Sequence, residues 1–429
     1  MPTTFEFSPV KLVYGGEALG FHDGRTVLVS RVLPGERAEV EEVRQQKGVV
    51  HARPLRILEP SPQRIDPACP YFGSCGGCQY QHIDPHAQTA AKVDILRETL
   101  RRLGGVKWES PIPAHAGPAW NYRNQAQFKI AAGPDGAPAL GFFEAESNRL
   151  VPIDACPILS PRLNAVLNMV RGSAWKTTLA QARELELLTD DGDDKMMVTW
   201  AGAWSRQEAE ALAERCLAEI GGVATVAITC QAGLRVWGEH FLRYRVGGFD
   251  YRVSPIAFFQ TSRFLLPEFV PSVVAAGKDD GPSGAWAIDL YAGVGLFSLP
   301  LAQQFESVTA VEALPAAAAD LAFNVKSVPG GKVRAVSGDA SDYLRRCARR
   351  EPDLVIMDPP RAGVGIAALK LLLALAPRRL RYVSCSPPTL GRDLGFLLRH
   401  DYELESLEMF DFFPQTYHIE SLARLRRQS

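Results

Sequence analysis

A single cysteine, Cys385, lies where the apolar run 380–383 meets two prolines. Pro387 and Pro388 fix φ and keep their neighbours out of helix, so we expect Ser384 to Ser386 to be extended or turning. A thiol at the carboxyl end of a strand in an α/β domain lies where such domains bind ligands. An isolated cysteine is also often just a small buried apolar residue. The chemistry of Cys385 therefore depends on what the rest of the chain brings near it.

A glycine-rich turn and two acids form a second set of candidates. Gly293 and Gly295 let the backbone bend tightly and approach a ligand, and the helix expected after them presents free amides. Glu312 and Asp339 end the next two apolar runs, where an acid can accept hydrogen bonds from ribose hydroxyls or an adenine amino group. The turn lacks the third glycine of the dinucleotide pattern, which favours S-adenosylmethionine over NAD. The alternative role of these acids is helix capping.

A fourth apolar run ends at Asp358, and two prolines separate that residue from Arg361. The string Asp-Pro-Pro after an apolar strand is typical of methyltransferases that act on planar bases. An ordinary loop with a helix cap fits the same string. Glu420 lies in an apolar segment near the C-terminus that would bury its carboxyl group.

These groups together suit methylation of a pyrimidine at C5, a carbon that is a poor nucleophile. Attack of a cysteine thiolate on C6 makes an enolate that can take a methyl group at C5. A carboxylate base then removes the C5 proton, and the thiol leaves. Cys385 and Glu420 are the candidates for nucleophile and base.

Four cysteines in the first half of the chain have the spacing of metal ligands. Cys69, Cys75 and Cys78 lie in a proline-rich stretch, and Cys156 supplies a fourth thiolate. Such spacing in a cytosolic protein indicates metal binding rather than disulfides. All-cysteine ligation fits zinc or a [4Fe-4S] cluster.

The apolar runs alternate with helical segments, which predicts a doubly wound parallel sheet in an α/β domain. The five predicted strands are 286–290, 308–311, 333–336, 354–357 and 380–383. The carboxyl ends of parallel strands share one edge of a sheet, so we expect the candidates above to face one crevice.

The preceding part of the chain has a different pattern. Short β-rich runs between turn signals over 5–59 predict an OB-like barrel, and residues from about 120 to 260 read as α+β. Helical spacing predicts helices over 85–103, 206–219 and 262–276. A linker is expected over 277–284, where glycine, aspartate, proline and serine dominate.

Length and composition set broad limits on the class of protein. A chain of 429 residues should form two or three domains, and 46% hydrophobic with 22% charged residues is ordinary for a soluble globular protein. A net charge of −1 does not indicate a strongly basic nucleic-acid binder. No apolar run approaches a membrane span, and the first residues do not form a signal peptide, so we expect a cytoplasmic protein.

Four strings together resemble the RNA uracil-C5 methyltransferase family over nearly the whole chain: 289–295, 358–363, 384–394 and 413–420. The resemblance implies that Cys385 is the nucleophile and Glu420 the base, with Asp358 nearest the reacting carbon. The cofactor-binding set is Gln260, Tyr291, Gly293, Gly295, Glu312, Asp339 and Asp358. The chain departs from the usual pattern at Ser262, Leu296 and Ser386.

The resemblance also implies a [4Fe-4S] cluster on Cys69, Cys75, Cys78 and Cys156, with a structural or RNA-orienting role. The N-terminal barrel resembles the RNA-binding TRAM domain, through its turn 33–36 and its place before the cysteines. The expected domains are therefore a TRAM barrel over 1–60, a central α+β domain over 61–260 that contains the iron–sulfur cluster, and a methyltransferase domain over 261–429. We expect helix 85–103 to pack on that last domain.

The barrel and the cysteines favour 23S ribosomal RNA as the substrate, because tRNA enzymes of the family often lack both. We expect a monomer that binds RNA and no membrane. The alternatives are a tRNA uridine-C5 methyltransferase, an RNA cytosine-C5 methyltransferase or a non-catalytic iron–sulfur RNA-binding protein. Cytosine enzymes carry a Pro-Cys string where this chain has 359–361, and the set of Asp358, Cys385 and Glu420 argues against a non-catalytic protein.

Overall fold

The structure is a computed structural model that describes residues 3–133, 135–231, 233–260, 262–275, 284–348 and 351–428. The linker expected over 277–284 lies outside these ranges except for Gly284, which begins a strand. None of the helices in the described ranges is long and apolar enough to cross a bilayer.

The N-terminal region forms a six-stranded sheet. Its strands are β1 (Thr4–Phe7), β2 (Lys11–Leu12), β3 (Glu17–His22), β4 (Arg25–Ser30), β5 (Arg37–Gln46) and β6 (Val49–Glu59). They lie in the order β1-β5-β6-β4-β3-β2, and every pair is antiparallel except β4 with β6. Alternate residues such as Val27 and Val29 are buried, as expected for strands with one face on a core.

The first helix, α1 (Pro85–Thr99), follows the cysteine-rich segment, and Asp84 caps it by accepting from the amides of His86 and Ala87. Its last turn widens into a π-helical turn, Leu100–Gly104. That turn packs closely on the C-terminal domain, because a Cβ on Gly104 would lie 2.1 Å from the Gly391 carbonyl oxygen. The side chain of Lys92 is fully buried, and its Nζ donates to Asp411 Oδ1 at 2.7 Å and to the Phe413 carbonyl at 2.9 Å.

The central region is an α+β layer built on a seven-stranded sheet in the order β10-β9-β8-β11-β12-β13-β14. Its strands are β8 (Gln125–Ala132), β9 (Pro138–Phe143), β10 (Leu150–Pro152), β11 (Ala182–Thr189), β12 (Met196–Gly202), β13 (Val223–Cys230) and β14 (Gly233–Gly238), after the short β7 (Ala114–Ala116). The helices are α2 (Pro161–Val170), α3 (Lys176–Gln181) and α4 (Arg206–Glu219). A separate hairpin, β15 (Leu242–Val246) with β16 (Phe249–Val253), follows.

The C-terminal region confirms the predicted α/β class. Its elements are α5 (Leu266–Val274), β17 (Gly284–Leu290), α6 (Ser298–Leu301), β18 (Phe305–Glu312), α7 (Pro315–Asn324), β19 (Val333–Ser337), α8 (Ala340–Arg346), β20 (Leu354–Met357), α9 (Ile366–Leu375), β21 (Arg379–Ser384), α10 (Pro387–Leu397), β22 (Tyr402–Asp411) and β23 (Glu420–Arg427). The strand order is β19-β18-β17-β20-β21-β23-β22-β7, and the five predicted strands are parallel to one another.

Two helix predictions need correction. The helix expected over 262–276 is the shorter α5, because the residues before Leu266 form a bridge and bends rather than helical turns. The helix expected after the glycine turn is the single turn α6, since Pro300 and Gly295 limit how much of this segment is helical.

The last strand, β23, is inserted antiparallel between β21 and β22. In this register Ser384 pairs with Ser421, so the residue after Ser384 and the residue before Ser421 lie side by side at the sheet edge. These two residues are Cys385 and Glu420.

Candidate active site

The sequence-predicted candidates lie at the carboxyl ends of adjacent strands. Tyr291 follows β17, Glu312 ends β18, and Asp339 follows β19 by one turn residue. Asp358 follows β20 and Cys385 follows β21. The structure therefore brings these five residues to one edge of the sheet, where α/β proteins bind ligands.

Cys385, Glu420 and Asp358 form an electrostatically coupled group. Burial raises the pKa of the Cys385 thiol to about 11, and the carboxyl groups of Glu420 and Asp358 add to the shift, while the Arg361 guanidinium opposes it. The proline turn holds this thiol as expected, with Ser386 in an extended conformation and Pro387 as the first residue of α10.

The carboxyl group of Glu420 is enclosed in protein, with only 3% of the residue exposed. Burial raises its pKa well above the ordinary value, Asp358 raises it further, and Arg361 lowers it. Its Oε1 atom is buried without a hydrogen-bond partner in the part of the chain that the structure describes. When the group is ionised, an oxygen in such a position can accept a proton from a bound substrate.

Asp289 was missed as a functional candidate, although it stands in the glycine motif. It is fully buried at the end of β17, where Ser298 donates a hydrogen bond to its Oδ2 atom. Burial raises its pKa to about 7, and it in turn helps to raise the pKa of Asp358 to about 7. An acid inside an otherwise apolar run is the sequence signal that points to such a residue.

The glycine turn leaves room for a ligand on one side and is packed on the other. A Cβ on Gly293, which has φ of +55°, would meet no atom within 4 Å. A Cβ on Gly295, with φ of +99°, would lie 2.9 Å from Leu321 Cδ1. Tyr291 also has a positive φ of +61°, which is strained for a residue with a side chain and is typical of ligand sites.

Both oxygens of Glu312 accept backbone hydrogen bonds, one from Gly293 at 2.8 Å and one from Leu314 at 2.6 Å. Asp339 caps α8 by accepting from Ser341 and Asp342. Asp339 therefore caps a helix, which was the alternative role considered for this acid. A carboxylate has further lone pairs, so neither set of bonds prevents it from accepting from a ligand.

Gln260 is buried in the loop after β16. The neighbouring ring of Phe259 lies 6.3 Å from that of Tyr251, whose hydroxyl donates to the Leu296 carbonyl at 3.1 Å. This chain of contacts gives Leu296 a structural role through its main chain, which any residue type at that position supplies.

The four candidate metal-binding cysteines line one cavity of about 240 Å³. All four are half-buried, and no disulfide joins them. Within the described ranges, no group of three or more histidine, cysteine, aspartate or glutamate side chains is arranged to hold a metal ion. The donor set nevertheless fits an iron–sulfur cluster, because four thiols around one void supply its four ligands.

We expect the substitution Glu420→Gln to stabilise the protein at alkaline pH. The folded protein keeps the Glu420 proton above its ordinary pKa of 4.5, so wild-type stability falls as pH rises from that value through the raised one. Glutamine carries no charge, so the melting temperature of the variant should exceed that of the wild type by more at about pH 8.5 than at about pH 5. Glu403→Gln, an exposed position on β22, is the control. A difference in melting temperature that is the same at both pH values would contradict a raised pKa for Glu420.

The sequence of this chain is similar to sequences of RNA methyltransferases. A family model described as tRNA (Uracil-5-)-methyltransferase matches residues 346–428. An uncharacterized RNA methyltransferase of Aquifex aeolicus is 32% identical, over 97% of this chain and 96% of the relative. The 23S rRNA (uracil(1939)-C(5))-methyltransferase RlmD of Alkalilimnicola ehrlichii is 31% identical, over 99% of this chain and 97% of the relative.

The fold is shared with the crystal structure of Pyrococcus abyssi tRNA (uracil-54, C5)-methyltransferase in complex with S-adenosyl-L-homocysteine. The TM-score is 0.76 at 22% identity, over 98% of this chain and 100% of that one. Identity of 31–32% along nearly the whole length of the relatives establishes common family membership. The chain therefore belongs to the RNA uracil-C5 methyltransferase family and is an S-adenosylmethionine-dependent enzyme of that class.

Proposed function

We propose that the protein methylates C5 of a uridine in 23S ribosomal RNA, with Cys385 as nucleophile, Glu420 as base and Asp358 beside the reacting carbon. One observation carries the chemical part of this proposal. The β21–β23 register sets a thiol and a buried carboxyl with a free oxygen side by side, at the sheet edge that also holds Asp358.

In the first step the Cys385 thiolate forms a bond to C6 of the uracil, and the displaced electron pair is delocalised into C5 and the O4 carbonyl. C5 forms a bond to the methyl group as the bond from that group to the sulfonium sulfur of its donor breaks, and the electron pair of the broken bond would stay on the sulfur, which would leave as a neutral thioether. The carboxylate of Glu420 then removes the C5 proton. The electron pair of that C–H bond restores the C5–C6 double bond and expels the thiolate. The target uridine must leave its stack to reach Cys385.

Burial and mutual repulsion determine how many protons the two acids hold. Glu420 and Asp358 repel each other when both are ionised, so the pair retains a proton near neutral pH. Arg361 favours the ionised forms of both Cys385 and Glu420. The site therefore holds a proton that can move as charge develops on the uracil, and it exposes little of Glu420 to water.

The methyl donor would be held by the glycine turn and the acids at the strand ends. The residues with this role are Gln260, Tyr291, Gly293, Gly295, Glu312, Asp339 and Asp358. When bound, S-adenosylmethionine supplies the methyl group and a positively charged sulfonium. Burial together with the charges of Asp339 and Asp393 raises the pKa of Tyr291 to about 12, so its hydroxyl stays protonated and can donate.

Ribosomal RNA is favoured as substrate by the relatives named 23S rRNA (uracil(1939)-C(5))-methyltransferase, which match over 97% and 90% of their length at 31% and 32% identity. A tRNA uridine is the second candidate, because the P. abyssi tRNA enzyme shares the fold over the whole chain. Its lower identity of 22% makes it the weaker guide to the substrate.

Cys385→Ala should abolish both methylation and covalent bond formation with RNA that contains 5-fluorouridine, because fluorine at C5 blocks proton removal and traps the adduct. Cys347→Ala, at a half-buried cysteine that contacts Tyr343, is the matched control and should retain both activities. Glu420→Gln should form an adduct with unmodified RNA and stall there. Wild-type methylation by Cys385→Ala would disprove the mechanism, and no adduct with Glu420→Gln would exclude Glu420 as base. Gel shift under denaturing conditions measures each adduct.

Nucleoside mapping of RNA from a strain that lacks the protein tests the substrate. We expect 5-methyluridine to disappear from 23S ribosomal RNA and to return when the wild-type chain, but not Cys385→Ala, is supplied. Loss of 5-methyluridine from tRNA instead would establish the second candidate. Loss of 5-methylcytidine would contradict both.

We further propose that Cys69, Cys75, Cys78 and Cys156 hold a [4Fe-4S] cluster. All four thiols line one cavity, and their spacing contains a single Cys-x2-Cys pair, whereas zinc sites favour two such pairs. The cavity also includes Arg123 and Gln125, which connect it to β8 of the central sheet.

Protein purified without oxygen should contain about four iron and about four sulfide per chain. Cys78→Ser should lower both contents and the visible absorbance, because one of the four cluster ligands is lost. Cys230→Ser is the control, because that thiol lies in β13 and contacts the Gly233 carbonyl. Stoichiometric zinc without sulfide would show that the site holds zinc instead.

A further inference from the structure

The turn between β2 and β3 carries a tyrosine from the N-terminal sheet into the active site. Gly15 and Gly16, with φ of +116° and +93°, make the tight turn, and the Gly16 amide donates to the Val13 carbonyl. Tyr14 lies within this turn. Its hydroxyl donates to the Cys385 carbonyl oxygen at 3.5 Å, although the two residues are 371 positions apart in the chain.

The ring of Tyr14 is also held by the C-terminal segment. It lies edge-to-face against the ring of Tyr417, with centroids 5.5 Å apart and planes at 90°. A Cβ on Gly16 would lie 3.0 Å from Gln79 Cβ and 3.4 Å from Tyr417 Cδ1, so the turn fits closely between the cysteine-rich segment and the segment that leads to Glu420.

Two charged contacts keep the N-terminal sheet in this place. Lys11, at the strand before the turn, pairs with Glu98 on α1. The carboxyl group of Glu36 is buried and pairs with Arg64, which follows the last strand of the sheet. The first pair joins the strand before the turn to α1, and the second joins the sheet to the segment that follows it.

Tyr14 can act as a hydrogen-bond donor throughout the working pH range. Burial raises its pKa to about 12, and the nearby Tyr417, Cys385 and Glu420 add to the shift while Arg361 opposes it. These same groups surround the nucleophile and the base, which shows that the Tyr14 hydroxyl lies within electrostatic range of both.

We propose that Tyr14 is a positioning residue for methyl transfer, supplied by the N-terminal domain. Its hydroxyl holds the main chain of the Cys385 turn so that the thiol is aimed at C6, and its ring packs against Tyr417 in the segment that leads to Glu420. This inference rests on the proposed function of Cys385. RNA that binds the N-terminal sheet would thereby also set the geometry of the nucleophile.

The test compares Tyr14→Phe, Tyr14→Ala and Phe21→Ala in the full chain. Phe21 is 62% exposed on the same sheet and is the control for RNA contacts that do not reach the active site. The measurements are the rate of adduct formation with 5-fluorouridine RNA at saturating RNA, the RNA dissociation constant and the melting temperature. Tyr14→Phe should slow adduct formation roughly three- to tenfold, the effect of one hydrogen bond, without changing affinity or melting temperature.

Tyr14→Ala should be slower than Tyr14→Phe, because the ring contact with Tyr417 is lost as well, and Phe21→Ala should form the adduct at the wild-type rate once RNA saturates. Adduct formation by Tyr14→Phe at the wild-type rate would overturn the proposal. So would a loss that appears only in affinity or melting temperature. The proposed function fails separately, if Cys385→Ala still methylates RNA.

Discussion

The pairing of β23 with β21 is the interaction on which the active site depends. It joins the end of the chain to the strand of the nucleophile, and its register puts Glu420 beside Cys385. A shift of one residue would turn the carboxyl to the opposite face of the sheet. The register is supported from outside by the fully buried Lys92, which bonds Asp411 at the end of the next strand. Breaking such a buried pair leaves an uncompensated charge, so the helix and the strand are held together strongly.

The segment between β22 and β23 is held by parts of the chain far from it. The main-chain carbonyl of Gln415 accepts from Gln79 and Tyr80, and its side chain accepts from Gln88. The hydroxyl of Tyr122 donates to the Pro414 carbonyl at 2.9 Å. The cysteine-rich segment, α1 and the central region thus all contact the loop that precedes Glu420. A cluster at the cysteines would act on catalysis through this scaffold rather than through the reacting atoms.

The site concentrates groups whose charged forms are costly to bury. The pKa values of Asp289 and Asp358 are each raised to about 7, and that of Glu420 is raised well above normal. Such clusters reduce stability and are kept where function needs a movable proton. Arg361 partly balances these acids. Its guanidinium contacts His418 Nδ1 at 3.5 Å, and its main-chain carbonyl accepts from the Thr389 hydroxyl in α10.

Local patterns in the sequence were enough to predict the ends of the five parallel strands and the helices α1 and α4. Apolar runs mark buried parallel strands whatever they pair with, so Asp358 and Cys385 could be assigned to one edge, and the capping box of Ser205 with Glu208 defines the start of α4. Three features were not predictable in this way. They are the short length of α6, the burial of Lys92 on a helix of mixed polarity, and the contact of Tyr14 with Cys385. Each depends on a partner distant in the chain. The antiparallel insertion of β23 belongs with them, because a strand's neighbours and register are set by packing and hydrogen bonding across the sheet rather than by its own residues.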